Sequence, residues 1–258
     1  MSNIAVCFKW VKDEADVTTD ESTKALKTDR ATYKISDYDR NAIEVGAQMT
    51  ESDEGTTLTA VTAGIPGATT GFKDALSRGA DRGLLVADEI FDDADPAIIA
   101  KVLAAALDAT GPYDLILFGE GSSDLYAQQV GPRVAELLGL PVITYANKLE
   151  VTDGVVSAER RLENETEVLS CPLPVVVTVS PDINQPRIPG MKQILAARKK
   201  PLEEMSLSDL GFNGFESPVD GRSLEGAVMN RKNILFDGEI PEAVSKLADA
   251  IIREGVIK

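Results

Sequence analysis

The chain has 258 residues and a formal net charge of −16, from 26 Lys plus Arg against 42 Asp plus Glu, with 43% hydrophobic and 5% aromatic residues. That length and composition fit a globular protein with a large buried core, and the acidic excess repels phosphate backbones and anionic bilayers. Histidine is absent, which removes histidine-based triads, histidine general bases and most zinc sites, and two cysteines are too few for a disulfide framework. The expectation is a soluble cytoplasmic protein that neither binds nucleic acid nor inserts in a membrane, since no long apolar run or signal-peptide core is visible.

Short apolar runs alternate with helical patterns, the signature of a doubly wound, mostly parallel α/β sheet of the Rossmann-like kind. Ile4 to Trp10 reads as a first buried strand, and Ser36 can cap a helix running through Tyr38, Ala42, Ile43, Val45 and Ala47. Leu58 to Thr62 is a second strand, broken by Gly64-Ile65-Pro66-Gly67. A helix through Phe72 and Leu76 closes on Arg78-Gly79, and Gly83 to Ala87 is a third strand. Asp95-Pro96 is a strong helix start, an acid cap followed by proline at the first helical position. Asp114 to Phe118 is a fourth strand, a helix runs from about Leu125 to Leu138, and Val142 to Tyr145 opens a fifth strand.

The texture then changes. Residues 147 to 170 alternate like an antiparallel hairpin turning at Asp153-Gly154, and Pro172 to Val179 reads as another buried strand. From about Lys200 the chain is rich in Gly, Ser and Asp and ends in a helix from Pro241 to about Glu254. This pattern implies an α/β domain over residues 1–200 and a C-terminal arm over 201–258 suited to packing on a partner.

The most informative segment is Gly119-Glu120-Gly121-Ser122-Ser123-Asp124, directly after the fourth strand and before a helix. In doubly wound sheets ligands bind beyond the carboxyl ends of the strands, where the winding reverses. Small residues and free N–H groups there suit a phosphate cradle, although the segment also reads as a plain strand-to-helix turn. Ala63 and the Ser36-Asp37-Tyr38-Asp39 segment can line the same crevice or serve only as turn and cap. Residues 183 to 200 carry five basic residues and no acid, and Ile188 and Met191 lack an obvious core to enter. A proline-flanked basic loop with exposed apolar side chains suits partner docking as well as it suits a solvated helix end. Cys7 and Cys171 read as packing residues. Glu163, Glu165 and Glu167 read as one solvated strand face beside Arg160 and Arg161.

Six segments in register resemble the β subunit of electron transfer flavoproteins. They are the opening strand with Lys9, ISDYDRNAIE, VTAGIP, the Ser77 to Gly83 turn, GEGSSDLYAQQVG, and AERRLENETEVLSCPLPVVVTV followed by NQPRIPGMKQILAARKKP. The fifth looks most like the Fix-type branch, associated with carnitine and other acyl-CoA reductive pathways. The resemblance implies an electron-carrier subunit, not an enzyme in its own right. Its partners would be an α subunit that holds most of the redox-active FAD and an acyl-CoA dehydrogenase or related redox protein. The chain itself would hold AMP or, in a bifurcating relative, a second FAD. By position, the resemblance places the nucleotide site at Cys7, Ser36, Asp37, Tyr38, Asp39, Ala63, Gly119, Gly121, Ser122, Ser123, Asp124, Gln128, Gln129 and Val130. It places the docking loop at Arg187, Ile188, Met191 and Lys192. FAD-holding relatives carry an acid-Gly-acid-Thr run in the loop after the fourth strand. Here Asp124 is followed by Leu125, Tyr126 and Ala127, which favours AMP. The rivals are a non-redox nucleotide-binding regulatory module and a hydrolase or adenylating enzyme, for which no phosphate-binding lysine is evident near the loop.

Overall fold

The structure, a computed structural model, describes residues 2–92, 94–215, 219, 224–228 and 231–255. Its framework is a nine-stranded sheet in the order β11-β10-β9-β12-β8-β1-β6-β7-β13. The central strands are β1 (Asn3–Cys7), β6 (Thr57–Gly64), β7 (Arg82–Ala87), β8 (Leu115–Gly119) and β12 (Val175–Val179), all parallel. Ile4 to Cys7 and Val175 to Val179 are buried throughout. Continuous apolar runs of this kind are what a sheet covered on both faces requires.

Helices α1 (Asp37–Ser52) and α2 (Thr69–Ser77) pack on one face, where Ile43, Leu58, Phe72, Leu115 and Val177 share a core. Helices α3 (Pro96–Thr110) and α4 (Val130–Leu138) cover the other, around Leu84, Val102, Leu107, Ile116 and Val134. Asp95 starts α3 as its sequence demands, its Oδ1 accepting from the Ala97 N–H at 2.7 Å. The doubly wound α/β architecture read from the sequence is the one observed.

Several elements differ from the sequence reading. The first strand stops at Cys7, because the chain turns at Phe8, whose carbonyl is tied to the Thr62 hydroxyl. Trp10–Lys12 then forms a separate strand, β2, antiparallel to β5 (Tyr33–Ile35), with the Trp10 and Tyr33 rings stacked 6.1 Å apart. A short ribbon, β3 (Thr18–Thr19) with β4 (Leu26–Lys27), separates them in sequence. Helix α4 begins at Val130, not near Leu125, since Tyr126 and Gln128 hold left-handed φ of 48° and 58° that no helix accommodates.

The antiparallel extension has three strands, β9 (Val142–Thr152), β10 (Val155–Arg161) and β11 (Thr166–Pro172). Asp153 and Gly154 make the expected tight turn, with φ of 52° and 76°. A second turn closes through the Leu162 N–H to the Glu165 carbonyl at 2.8 Å. Glu163 and Glu165 therefore lie in or beside a turn, and only Glu167 faces its ion partner Arg160 across the ladder. The three glutamates do not form one strand face. Near the other edge, Leu202–Met205 adds β13 beside β7, where the sequence suggests only loops. α5 (Met191–Ala197) replaces the expected basic loop beyond Gly190.

By internal contacts the chain divides into two units, Met1–Thr18 with Lys27–Ser223, and Thr19–Leu26 with Leu224–Lys258. The sheet and its helices belong to the first. The second contains α6 (Ile240–Arg253), a strongly amphipathic helix whose Ile240, Val244, Leu247 and Ile252 are exposed. Part of the stretch between β13 and α6 lies outside the described residues.

Candidate functional site

From β1 the winding runs one way through β6 and β7 and the other way to β8, so the reversal lies between β1 and β8. The crevice beyond their carboxyl ends is where such sheets take ligands. Asp39, in the first turn of α1, ties the two strand ends together. Its Oδ2 accepts from the Lys9 N–H at 2.8 Å and its Oδ1 from the Gly119 N–H at 3.1 Å. A side chain on Gly119 would put its Cβ 2.6 Å from Asp39 Oδ1 and 2.7 Å from the Tyr38 carbonyl carbon. Glycine is needed here because β8 runs up against the start of α1.

The loop from Glu120 to Asp124 is stitched to the same helix by two serines. Ser123 N–H donates to Ser36 Oγ at 3.2 Å, and Asp37 N–H donates to Ser123 Oγ at 2.9 Å. Ser36 occupies the N-cap position, but its hydroxyl makes no cap bond to its own helix. Ser123 supplies that bond from the neighbouring loop. Among the described residues, the amides of Gly121, Ser122 and Asp124 find no acceptor within the chain. Helix α4 starts without a side-chain cap. Lys9, at the end of β1, brings its ammonium onto Asp124 at 2.5 Å. The loop therefore offers free backbone donors beside a lysine whose charge Asp124 balances, and it is the amides that fit a phosphate.

Two tyrosines stand over this loop. The Tyr126 and Tyr38 ring centroids are 5.0 Å apart, and the Tyr126 hydroxyl bonds to Glu120. That bond, aided by burial, pushes the Tyr126 phenol up to about 12. Burial likewise pushes the Asp39 carboxyl up to about 7, outweighing its two N–H donors and the Lys9 charge. Burial raises the Cys7 thiol well above its ordinary range, and the Asp39 charge adds to the effect. Such a thiol is no nucleophile. At Asp124 burial pulls upward, but the Lys9 charge and the local hydrogen bonds outweigh it and hold the carboxyl low.

The structure thus gathers Ser36, Asp37, Asp39, Gly119, Ser123 and Asp124 into one hydrogen-bonded assembly, with Tyr38 and Gly121 against Tyr126. Cys7 and Ala63 are buried at the ends of β1 and β6, on the α3 and α4 side. Gln129 accepts from Arg133 at 3.0 Å, Gln128 holds its left-handed turn, and Val130 opens α4.

The second candidate region is residues 184–195, whose stem is bonded to α1. Ile188 is 93% exposed and Met191 71%, with Leu195 and Lys192 also in solvent. Arg187, expected with them as a docking residue, is held within the chain. Its Nε donates to buried Glu44 at 2.7 Å, and its Nη2 reaches Glu44 at 3.0 Å and Glu51 at 3.1 Å. Burial pushes Glu44 upward, yet the Arg187 hydrogen bonds prevail and hold its carboxyl below the usual range.

Residues 23–210 match the family model described as the electron transfer flavoprotein domain. The chain belongs to that family. The matched span takes in α1, the Gly119–Asp124 loop, the antiparallel extension and the 184–195 segment. It gives this electron transfer flavoprotein chain a role in electron transfer. No helix among the described residues is long and apolar enough to cross a membrane. Nor do the described residues gather three His, Cys, Asp or Glu side chains that could hold a metal ion.

Lys9 and Tyr126 are the two residues of the crevice that site reasoning from sequence passes over or underuses. Contrary to the expectation that no lysine stands near the loop, Lys9 lies against it, 115 positions away in sequence. The available signal is its place just after the first strand, on the carboxyl edge where ligands bind.

Proposed function

We propose that this chain is the β-type subunit of an electron transfer flavoprotein heterodimer, carrying electrons between acyl-CoA dehydrogenase-type donors and other redox proteins in the cytoplasm. An α subunit would hold most of the redox-active FAD, and this chain would hold AMP in the β1–β8 crevice. The observation that carries the reading is the donor set at the β1–β8 strand ends. Free amides at Gly121, Ser122 and Asp124, with Lys9 alongside, lie at the winding reversal of a chain matching this family over 23–210. A bound flavin supplies the electron-accepting and electron-donating chemistry. The residues of this chain bind and orient: the loop amides receive a phosphate, and Asp39, Ser36 and Ser123 keep the loop fixed on α1.

AMP is favoured over a second FAD by Tyr126. Its ring lies over Gly121 and packs on Tyr38, which narrows the approach to the loop. A single phosphate needs only the loop amides, whereas a pyrophosphate with a flavin beyond it would have to displace the ring from Tyr38 and break its bond to Glu120. The test is to co-express the chain with its α partner, denature the purified complex and count nucleotides by chromatography. One FAD and one AMP per heterodimer supports the reading. Two FAD identifies the bifurcating type, and a colourless homodimer identifies a regulatory module.

A further inference from the structure

Arg187 makes more contacts than a surface arginine needs. Besides the fork onto Glu44 and Glu51, its backbone N–H donates to Glu44 Oε2 at 3.1 Å, and its carbonyl accepts from Arg78 Nη1 at 2.6 Å. Three positions earlier the Asn184 side chain donates to the Asn41 carbonyl at 3.0 Å, and Asn41 Nδ2 donates back to the Asn184 carbonyl at 2.9 Å. Asn41, Glu44 and Glu51 lie at helical spacing along one face of α1, so the stem of the segment is laid down along that helix. Glu44 is 5% exposed, and a carboxylate so buried needs a charged, bidentate partner. Immediately beyond this stem come Ile188 and Met191, both largely in solvent.

We propose that Arg187 is a positioning residue, which with Glu44, Asn41 and Asn184 clamps the stem of the 184–195 segment onto α1 so that Ile188 and Met191 are presented to a redox partner in one fixed arrangement. The proposal rests on the docking reading above and assigns Arg187 a role inside the chain rather than at the interface. The physical reason is preorganisation. An exposed segment that is loose before binding must lose conformational entropy when it docks, and a clamped one has already lost it. Arginine is required because its planar fork serves two carboxylates at once, which a lysine cannot do in the same geometry.

The test uses the intact heterodimer and a purified acyl-CoA dehydrogenase reduced by its own substrate. Arg187→Gln removes the fork, and the double variant Arg187→Gln with Glu44→Gln avoids stranding a buried carboxylate should the single variant fold poorly. In whichever folds, hydrogen exchange of the amides from 187 to 195 should quicken about tenfold or more, with β1, β6 and β8 unchanged. The KM for the dehydrogenase should rise about tenfold while kcat at saturation holds, as expected when only binding competence is lost. Arg187→Lys, which keeps the charge but loses the fork, should restore little of either the KM or the exchange protection. Unchanged exchange, or unchanged KM in a preparation where Met191→Ala does raise it, overturns the clamp. Should Met191→Ala leave the KM unaltered as well, the docking reading itself falls, and the clamp's role in presentation falls with it.

Discussion

Gly121 is bare so that Tyr126 can fold over it: a Cβ at Gly121 would stand 2.5 Å from Tyr126 Cδ2 and 2.8 Å from Cε2. A ring and a backbone amide thus share the mouth of the β1–β8 crevice. Tyr126 is 42% exposed and can swing aside, so crowding it carries a small cost to the fold.

Gly121→Val should leave stability within about 1 kcal/mol of the parent while emptying the crevice of nucleotide. The double variant with Tyr126→Ala separates two causes. If the branched side chain itself obstructs the Gly121 amide, the double variant stays empty, which is the outcome expected. Recovery of nucleotide in the double variant would mean that only the displaced ring was at fault.

Asp39 gives a pH dependence of defined sign. Its carboxyl, ordinarily near 3.8, is pushed up to about 7 in the folded chain, chiefly by burial. The folded state therefore holds this proton more tightly than the unfolded state. The stability it confers is complete below about pH 4 and is lost as pH rises through about 7. Asp39→Asn cannot ionise, so relative to that variant the parent should lose stability between about pH 4 and pH 7 and change little above that. Urea titrations of both proteins across that range measure it, and a constant gap would refute the assignment.

Met191→Ala should shift the melting temperature by no more than about 2 °C, because the side chain is 71% exposed. Its effect should instead be a raised KM for the dehydrogenase with flavin content intact. A loss of about 2 kcal/mol or more would mark Met191 as a packing residue.

Gly83 tests the edge of the sheet. It pairs with Leu202 across β7 and β13, and a Cβ there would lie 2.5 Å from Phe72 Cδ1 and 2.7 Å from Leu202 Cδ1. Gly83→Ala should destabilise by about 1–3 kcal/mol through overpacking, without changing nucleotide content. Chemical denaturation resolves a change of that size, and a stability equal to the parent's would mean that β13 gives way easily.

What could be read from the sequence depended on how local each signal was. The central strands are legible because strands buried on both faces are apolar without interruption, as Val175 to Val179 is. Asp95 and Asp153-Gly154 are legible because a cap and a tight turn are settled by neighbours within a few residues. β13 escapes notice because Leu-Glu-Glu-Met carries two charges on an edge strand. The late start of α4 escapes because residues 125–129 have acceptable helix formers whose backbone is held otherwise by the ring and loop contacts of Tyr126. For the site, Gly119 to Asp124 stands out by composition, yet its two main supports lie far off in sequence. Asp39 is 80 positions from Gly119 and Lys9 is 115 from Asp124. Arg187 misleads for the same reason, since its neutralising partner Glu44 is 143 positions upstream. A census of neighbouring charges cannot see it.

Helix α1 has 16 residues, a rod of about 24 Å. Its first turn is bonded to the strand ends and to Ser123, and its later turns to Asn184 and Arg187. It therefore acts as a gauge block, fixing both the separation and the angular setting of crevice and docking segment. Deleting one residue between Asp39 and Asn41 would turn the distal face by about 100° relative to the first turn, so that only one end could stay attached. Length and phase in this helix are thus more constrained than the identity of most residues along it.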